Sequence, residues 1–280
     1  MHKKLLVSKY TAIIQLIHGQ LAERVSIYAL PERNNPIEKK DIPLSKGKSD
    51  IRISYISGVA LQLSKSHNSE PFLIASSIAV DLSVSFDAYL MVEVLPKGLI
   101  QMQVTDLFVA VWLQDLIDKN RSIERAKVKH LDLGTALRDC VFSIQYVHAR
   151  CCSLLRLAQK EKLIDFNIYL NEHSSESIPW LDDDGKLRLN HHNERRLIVS
   201  LVKIIDELEP IIARPLKWQG AAMQLVTAFE GFWSTCRIHD DVTAITPEIV
   251  KARIGLIAAT QSVLRFLLEE KLGIPACLEL

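Results

Sequence analysis

Ser143, Tyr146 and Arg150 stand three and four residues apart in a stretch of helical periodicity, so all three fall on one helix face. An aromatic ring and a guanidinium side by side suit the capture of unpaired nucleic-acid bases. Splayed bases need a flat surface to stack on, worth about 1–3 kcal/mol per base, and a cation for the backbone. A guanidinium can also bond a base edge with two parallel hydrogen bonds. The alternative for the same residues is structural: Tyr146 caps a core and Arg150 pairs with a carboxylate.

Other reactive side chains lack a usable arrangement. His191 and His192 are adjacent, and neighbouring histidines at a helix start do not converge on one metal ion. The five cysteines, Cys140, Cys151, Cys152, Cys236 and Cys277, are odd in number and lack metal-ligand spacing, which predicts buried free thiols in a reducing compartment. Asp182-Asp183-Asp184-Gly185 does not alternate its carboxylates as a calcium loop must. No glycine-rich loop is present to cradle a phosphate, and no Ser/His/Asp or Cys/His arrangement stands out. The expectation is no cofactor and no metal.

The elements that would position these residues follow from periodicity. A helix is expected over Lys4–Arg24, a polar loop over Pro31–Lys48, and helices over Ile53–Ser64 and Pro71–Leu82. Tyr89–Val94 reads as a strand, Pro96-Lys97-Gly98 as a turn, and Leu99–Val104 as the returning strand; Asp106–Leu116 follows as a helix. Beyond Gly134 only helical patterns occur, at about 135–159, 192–213, 215–235 and 247–271. Thr246-Pro247 should cap the last of these, Thr135 the first, and Asn190 or Asn193 the second. The fold class expected is an α+β N-terminal domain, 1–118, a basic connector, 119–133, and an all-α bundle, 134–280.

With 48% hydrophobic and 24% charged residues the chain has the balance of a globular protein, not a disordered one. Net charge is +1, but residues 119–162 hold 10 basic and 4 acidic residues, a local excess of +6 that could attract phosphate. Residues 163–280 carry a net −5. The longest apolar run, Leu107–Leu113, is too short to cross a bilayer, and Ser8-Lys9-Tyr10 interrupts the apolar start; a cytoplasmic protein without membrane contact is expected.

Ser143-Ile144-Gln145-Tyr146-Val147-His148-Ala149-Arg150 resembles the signature helix of the arginyl-tRNA synthetase anticodon-binding domain, Tyr-x-Gln-Tyr-x-His-x-Arg. Arg214-Pro215, Leu225-x-x-Ala228-Phe229-x-x-Phe232-Trp233-x-x-Cys236, Ala252-Arg253-Ile254 through Leu264, and Leu272-Gly273-Ile274-Pro275 match further motifs in order, over essentially all of 134–280. Val92-Glu93-Val94-Leu95-Pro96-Lys97-Gly98-Leu99-Ile100-Gln101 is similar to the same family's N-terminal additional domain.

The resemblance implies anticodon-loop contact for Tyr146 and Arg150, a D-loop base contact for Gln101, and a pocket bordered by Trp233 and Leu280. Ser143 replaces a family tyrosine and removes one stacking platform; Leu99 replaces a phenylalanine. His148 is expected to pack within the bundle. The family's His-Ile-Gly-His and Lys-Met-Ser-Lys-Ser loops are absent; Leu44-Ser45-Lys46-Gly47-Lys48 is similar to the second but lies in the wrong domain. Only 18 residues separate Leu116 from Gly134, where the family has a nucleotide-binding domain. A non-catalytic tRNA-binding protein is therefore expected, with tRNA-Arg as the preferred adaptor and a tRNA-modifying enzyme or other protein as a further partner. The alternatives are a protein–protein scaffold or assembly factor, and an enzyme of unrecognised chemistry.

Overall fold

The structure, a computed structural model of the chain, describes residues 11–29, 41–67, 69–120, 135–164, 177–208, 218–238 and 245–280. They form two compact units whose main boundary lies between Val109 and Ala110; residues 205–208 group with the first unit. An α+β N-terminal region is followed by a helical C-terminal one.

In the first unit, α1 (Ile13–Ala29) buries Ile13, Ile17 and Leu21 at a helical period. The helix starts later than expected, and residues 4–10 of the expected helix lie outside the described residues. Strand β1 (Leu44–Lys46) occupies part of the expected loop, of which 31–40 are likewise outside. The helix expected at Ile53–Ser64 is instead strand β2 (Ser54–Ser57), then Gly58, then α2 (Val59–His67). Tyr55 and Ser57 are buried while Ser54 and Ile56 are half-exposed, the period of a strand. Antiparallel pairing of Tyr55 with Met102 supplies backbone bonds that outweigh the local helical pattern.

Helix α3 (Pro71–Phe86) begins at the expected proline. Strands β3 (Leu90–Leu95) and β4 (Leu99–Val104) form the expected hairpin, and the sheet order is β1-β2-β4-β3. Ile100, Met102 and Val104 are buried on one face of β4; Leu99, Gln101 and Gln103 are half-exposed on the other. Helices α2 and α3 pack on the sheet, and α1 packs on α3. Each fully buried Ile or Leu, such as Ile78 or Leu82, contributes about 1.5–3 kcal/mol. At the hairpin turn Gly98 has φ +81°, and a Cβ there would stand 2.8 Å from the Pro71 backbone, so only glycine fits.

Helix α3 also leaves apolar side chains outside: Leu73 and Val80 are each 64% exposed and Val84 79%. With its short extension to Tyr89 it is the one helix among the described residues long and apolar enough to cross a membrane by length and composition; 28% of that span is buried, with Ile74, Ala75, Ile78, Ala79 and Leu82 in the unit's core.

The second unit holds most of α4 (Asp106–Asn120) and of α6 (His192–Leu208), together with α5 (Thr135–Lys160), α7 (Trp218–Thr235) and α8 (Pro247–Phe266). Residues 121–134, most of the expected connector and of its positive charge, lie outside the described residues, as does Arg214-Pro215. Helix α8 is the centre of this unit, buried from Ile254 to Leu264, with α5 and α7 against it. Thr246 Oγ1 accepts from the Ile249 amide, the expected cap. Past α8 a π-helical turn, Leu267–Leu272, ends at Gly273 in the left-handed conformation, φ 66°.

Neither asparagine caps α6 as expected. His191 Nδ1 accepts from the Asn193 amide at 3.2 Å, while the Glu194 carboxylate accepts from the His191 amide at 2.8 Å. This is a capping box with an imidazole in the usual hydroxyl's place. The side chain of Thr135, the expected cap of α5, is outside the description. The five cysteines are free; Cys151, Cys152 and Cys236 are buried, but Cys140 and Cys277 are only half-buried, contrary to expectation.

Candidate nucleic-acid interface

Helix α5 is amphipathic, and its inner side fixes what its outer side presents. Val141, Ile144, Val147, Cys151 and Leu155 recur at spacings of three and four and are buried. His148 is fully buried between them. Its Nδ1 is 2.9 Å from the Cys277 carbonyl and its Nε2 2.9 Å from Gln261 Nε2. A carbonyl only accepts and an amide N–H only donates, so both bonds together select the neutral Nδ1–H tautomer. Burial, with the Arg265 charge as a smaller contribution, pulls this histidine down to about 4 from its usual 6.5; the bond to the Cys277 carbonyl opposes the shift.

The last residues of the chain run beside α5. Gln145 donates to the Pro275 carbonyl at 2.9 Å, and Arg156 donates to the Leu278 carbonyl at 3.1 Å and pairs with Glu279 at 2.8 Å. These contacts and the His148 bond hold the tail along one side of the helix.

The other side of α5 carries the expected residues. Tyr146 is 45% exposed, so it does not cap the core. Its hydroxyl accepts a long bond, 3.4 Å, from Arg150 Nη1. The Arg150 guanidinium lies over the Trp233 ring of α7, 5.0 Å from its centre. Among the described residues its buried Nε has no hydrogen-bond partner and Arg150 has no carboxylate partner. Ser143 is half-buried one turn before Tyr146.

Arg150 and Trp233 open into a cavity of about 610 Å³. Leu154, Leu157 and Ile238 line its apolar wall, and Arg237 adds a second guanidinium; among the described residues none that line it is acidic. Such a cavity can take a flat, weakly polar group attached to an anion. Leu280 is 64% exposed and does not line it. Gln101 belongs to the other unit. It is half-exposed on the open face of the sheet, between Ile56 and Glu93 on the neighbouring strands.

Sequence reasoning overlooked two residues here. Phe142 is 59% exposed and lies 6.3 Å from Tyr146, ring centre to ring centre, at 23° between planes. Its spacing of four from Tyr146 was the available signal. Arg237, four residues past Trp233, had the same signal of spacing, but it lies beyond the end of α7 at Thr235.

Residues 144–280 match the family described as DALR anticodon binding domain. Similar curated proteins include the arginine–tRNA ligase of Synechococcus sp. (strain JA-3-3Ab), 30% identical over 52% of this chain and 24% of that protein. That of Pelodictyon phaeoclathratiforme (strain DSM 5477 / BU-1) is 32% identical over 55% of this chain and 28% of that protein. That of Methanocaldococcus jannaschii is 31% identical over 46% and 20%. The chain thus spans about a quarter of the length of these relatives. No solved structure matches it significantly.

Proposed function

We propose, for a chain whose residues 144–280 belong to the DALR anticodon binding domain family and which is related to the arginine–tRNA ligases, a tRNA-binding role centred on α5. The observation that carries it is the run of exposed Tyr146, then Arg150 seated on Trp233 at a cavity that, among the described residues, has no carboxylate and leaves the Arg150 Nε without a partner. An anticodon base stacks on Tyr146, its neighbour enters the cavity, and the two guanidiniums meet the backbone phosphates.

In this reading tRNA-Arg is preferred, because the relatives are named for arginine, and Gln101 offers a second contact on the open sheet face. The protein acts as an adaptor that binds and does not aminoacylate. The absence of both nucleotide-binding signature loops from the 280 residues supports that. It works in the cytoplasm.

Filter binding of tRNA-Arg and an unrelated tRNA tests this. The wild-type protein should bind with marked salt dependence, Tyr146→Ala should weaken binding about 5- to 150-fold, and Arg150→Ala should lower the salt slope by about one unit. Negligible binding by all three proteins would overturn the proposal.

A second reading, a protein-binding scaffold, is favoured by the exposed Leu73, Val80 and Val84 of α3. It predicts that the protein isolated from its own cells carries a defined protein partner and no RNA.

A further inference from the structure

We propose that Phe142 is a second base-stacking residue, which makes α5 a two-ring platform for consecutive unpaired bases. The inference rests on the tRNA-binding reading above and deepens it.

A phenylalanine 59% exposed on the outside of a helix is a cost in water, since its ring gains nothing there from burial. Here the ring lies 6.3 Å from Tyr146 at 23°, close to parallel, and Tyr146 is itself 45% exposed. Phe142, Tyr146 and Arg150 are spaced four residues apart, so they climb one edge of α5 in a row; Trp233 backs the last of them. Ser143 carries no ring. Phe142 stands one residue earlier, about 100° around the helix, on the Tyr146 edge. The aromatic surface missing at 143 is present at 142.

The row suits RNA bases better than an apolar protein segment. It leads without a break into Arg150 and a cavity edged by a second arginine and, among the described residues, by no acid. A protein helix docked there would leave two guanidiniums facing its apolar side, whereas a polyanion with flat groups satisfies rings and cations together. Phe142 has no hydrogen-bonding group, so it adds affinity without choosing among bases.

The test is binding of a labelled anticodon stem-loop RNA to the full chain at several salt concentrations. The proteins are wild type, Phe142→Ala, Phe142→Leu, Phe142→Trp and Tyr146→Ala. Phe142→Ala and Phe142→Leu should each weaken binding about 5- to 150-fold, equally for purine and pyrimidine loops, and leave the salt slope unchanged. Phe142→Trp should restore it. Because the ring is exposed, thermal midpoints should stay together, which separates lost stacking from lost fold. Wild-type affinity in Phe142→Ala, or in Phe142→Leu, beside a weakened Tyr146→Ala overturns this proposal alone. Loss of a protein partner from Phe142→Ala with RNA affinity intact also overturns it. A wild-type protein that ignores the stem-loop removes the tRNA reading itself, and this proposal with it.

Discussion

At the residue scale, the candidate interface depends on a division of labour around α5. His148 shares the helix with Tyr146 and Arg150 but points inward, and its neutral ring links α5 to the Cys277 carbonyl and to Gln261. Because burial holds it at about 4, the unfolded chain takes up its proton first, near 6.5. Stability from this group is intact above that range and is lost as pH falls from about 6.5 to 4, on the order of 3 kcal/mol in all. Urea midpoints measured across that range should fall with acid in the wild type, and His148→Gln should flatten the slope. The inward histidine was legible from the motif, and so were Tyr146 and Arg150. Phe142 was not, because the family pattern places its aromatic ring at position 143, one residue away. The buried Nε of Arg150 and its seat on Trp233 were out of reach as well, since they join residues 83 positions apart in the chain.

At the scale of elements, packing decides which glycines can change. A Cβ on Gly255 of α8 would come within 2.5 Å of Ile178 and 2.6 Å of Trp180. Trp180 is buried and its indole N–H donates to Gln114 Oε1, so the ring has nowhere to go. Gly255→Ala should therefore destabilise the second unit by about 1–3 kcal/mol, read as a lower thermal midpoint by circular dichroism. The β3–β4 hairpin was readable because a short apolar run leads into a proline–glycine turn and apolar and polar residues alternate on the strand that returns from it. Strand β2 was not, because four residues are too few to show a period and its partners on β4 lie more than 40 positions away. The histidine cap on α6 was missed for a chemical reason: only the neutral imidazole offers the lone pair that a serine or asparagine oxygen normally supplies.

At the scale of the whole molecule, acid acts on the two units in opposite directions. In the first unit Asp206 is buried, accepting from the Ile14 amide at 3.0 Å and the Tyr55 hydroxyl at 2.7 Å, with Lys46 3.9 Å away and bonded to Glu207. Burial raises its carboxyl from 3.8 to about 6, more than Lys46 and the two hydrogen bonds lower it. A raised native value means stability is greatest below the unfolded value and is lost as pH rises through about 6, by roughly 3 kcal/mol. Hydrogen exchange corrected for intrinsic rates should show α1 better protected at pH 5 than at pH 7, and α5 less so; Asp206→Asn should abolish the first change. Binding studies belong near pH 7, where His148 is neutral and the α5 face is held in place. There, ultraviolet crosslinking of tRNA to the full chain, with peptides and nucleotides both identified, tests the central claim most directly. The account predicts crosslinks from anticodon-loop nucleotides to the α5 peptide containing Phe142 and Tyr146, and to the α7 peptide containing Trp233. Crosslinks confined to other peptides, or none above those of a scrambled RNA, would contradict it.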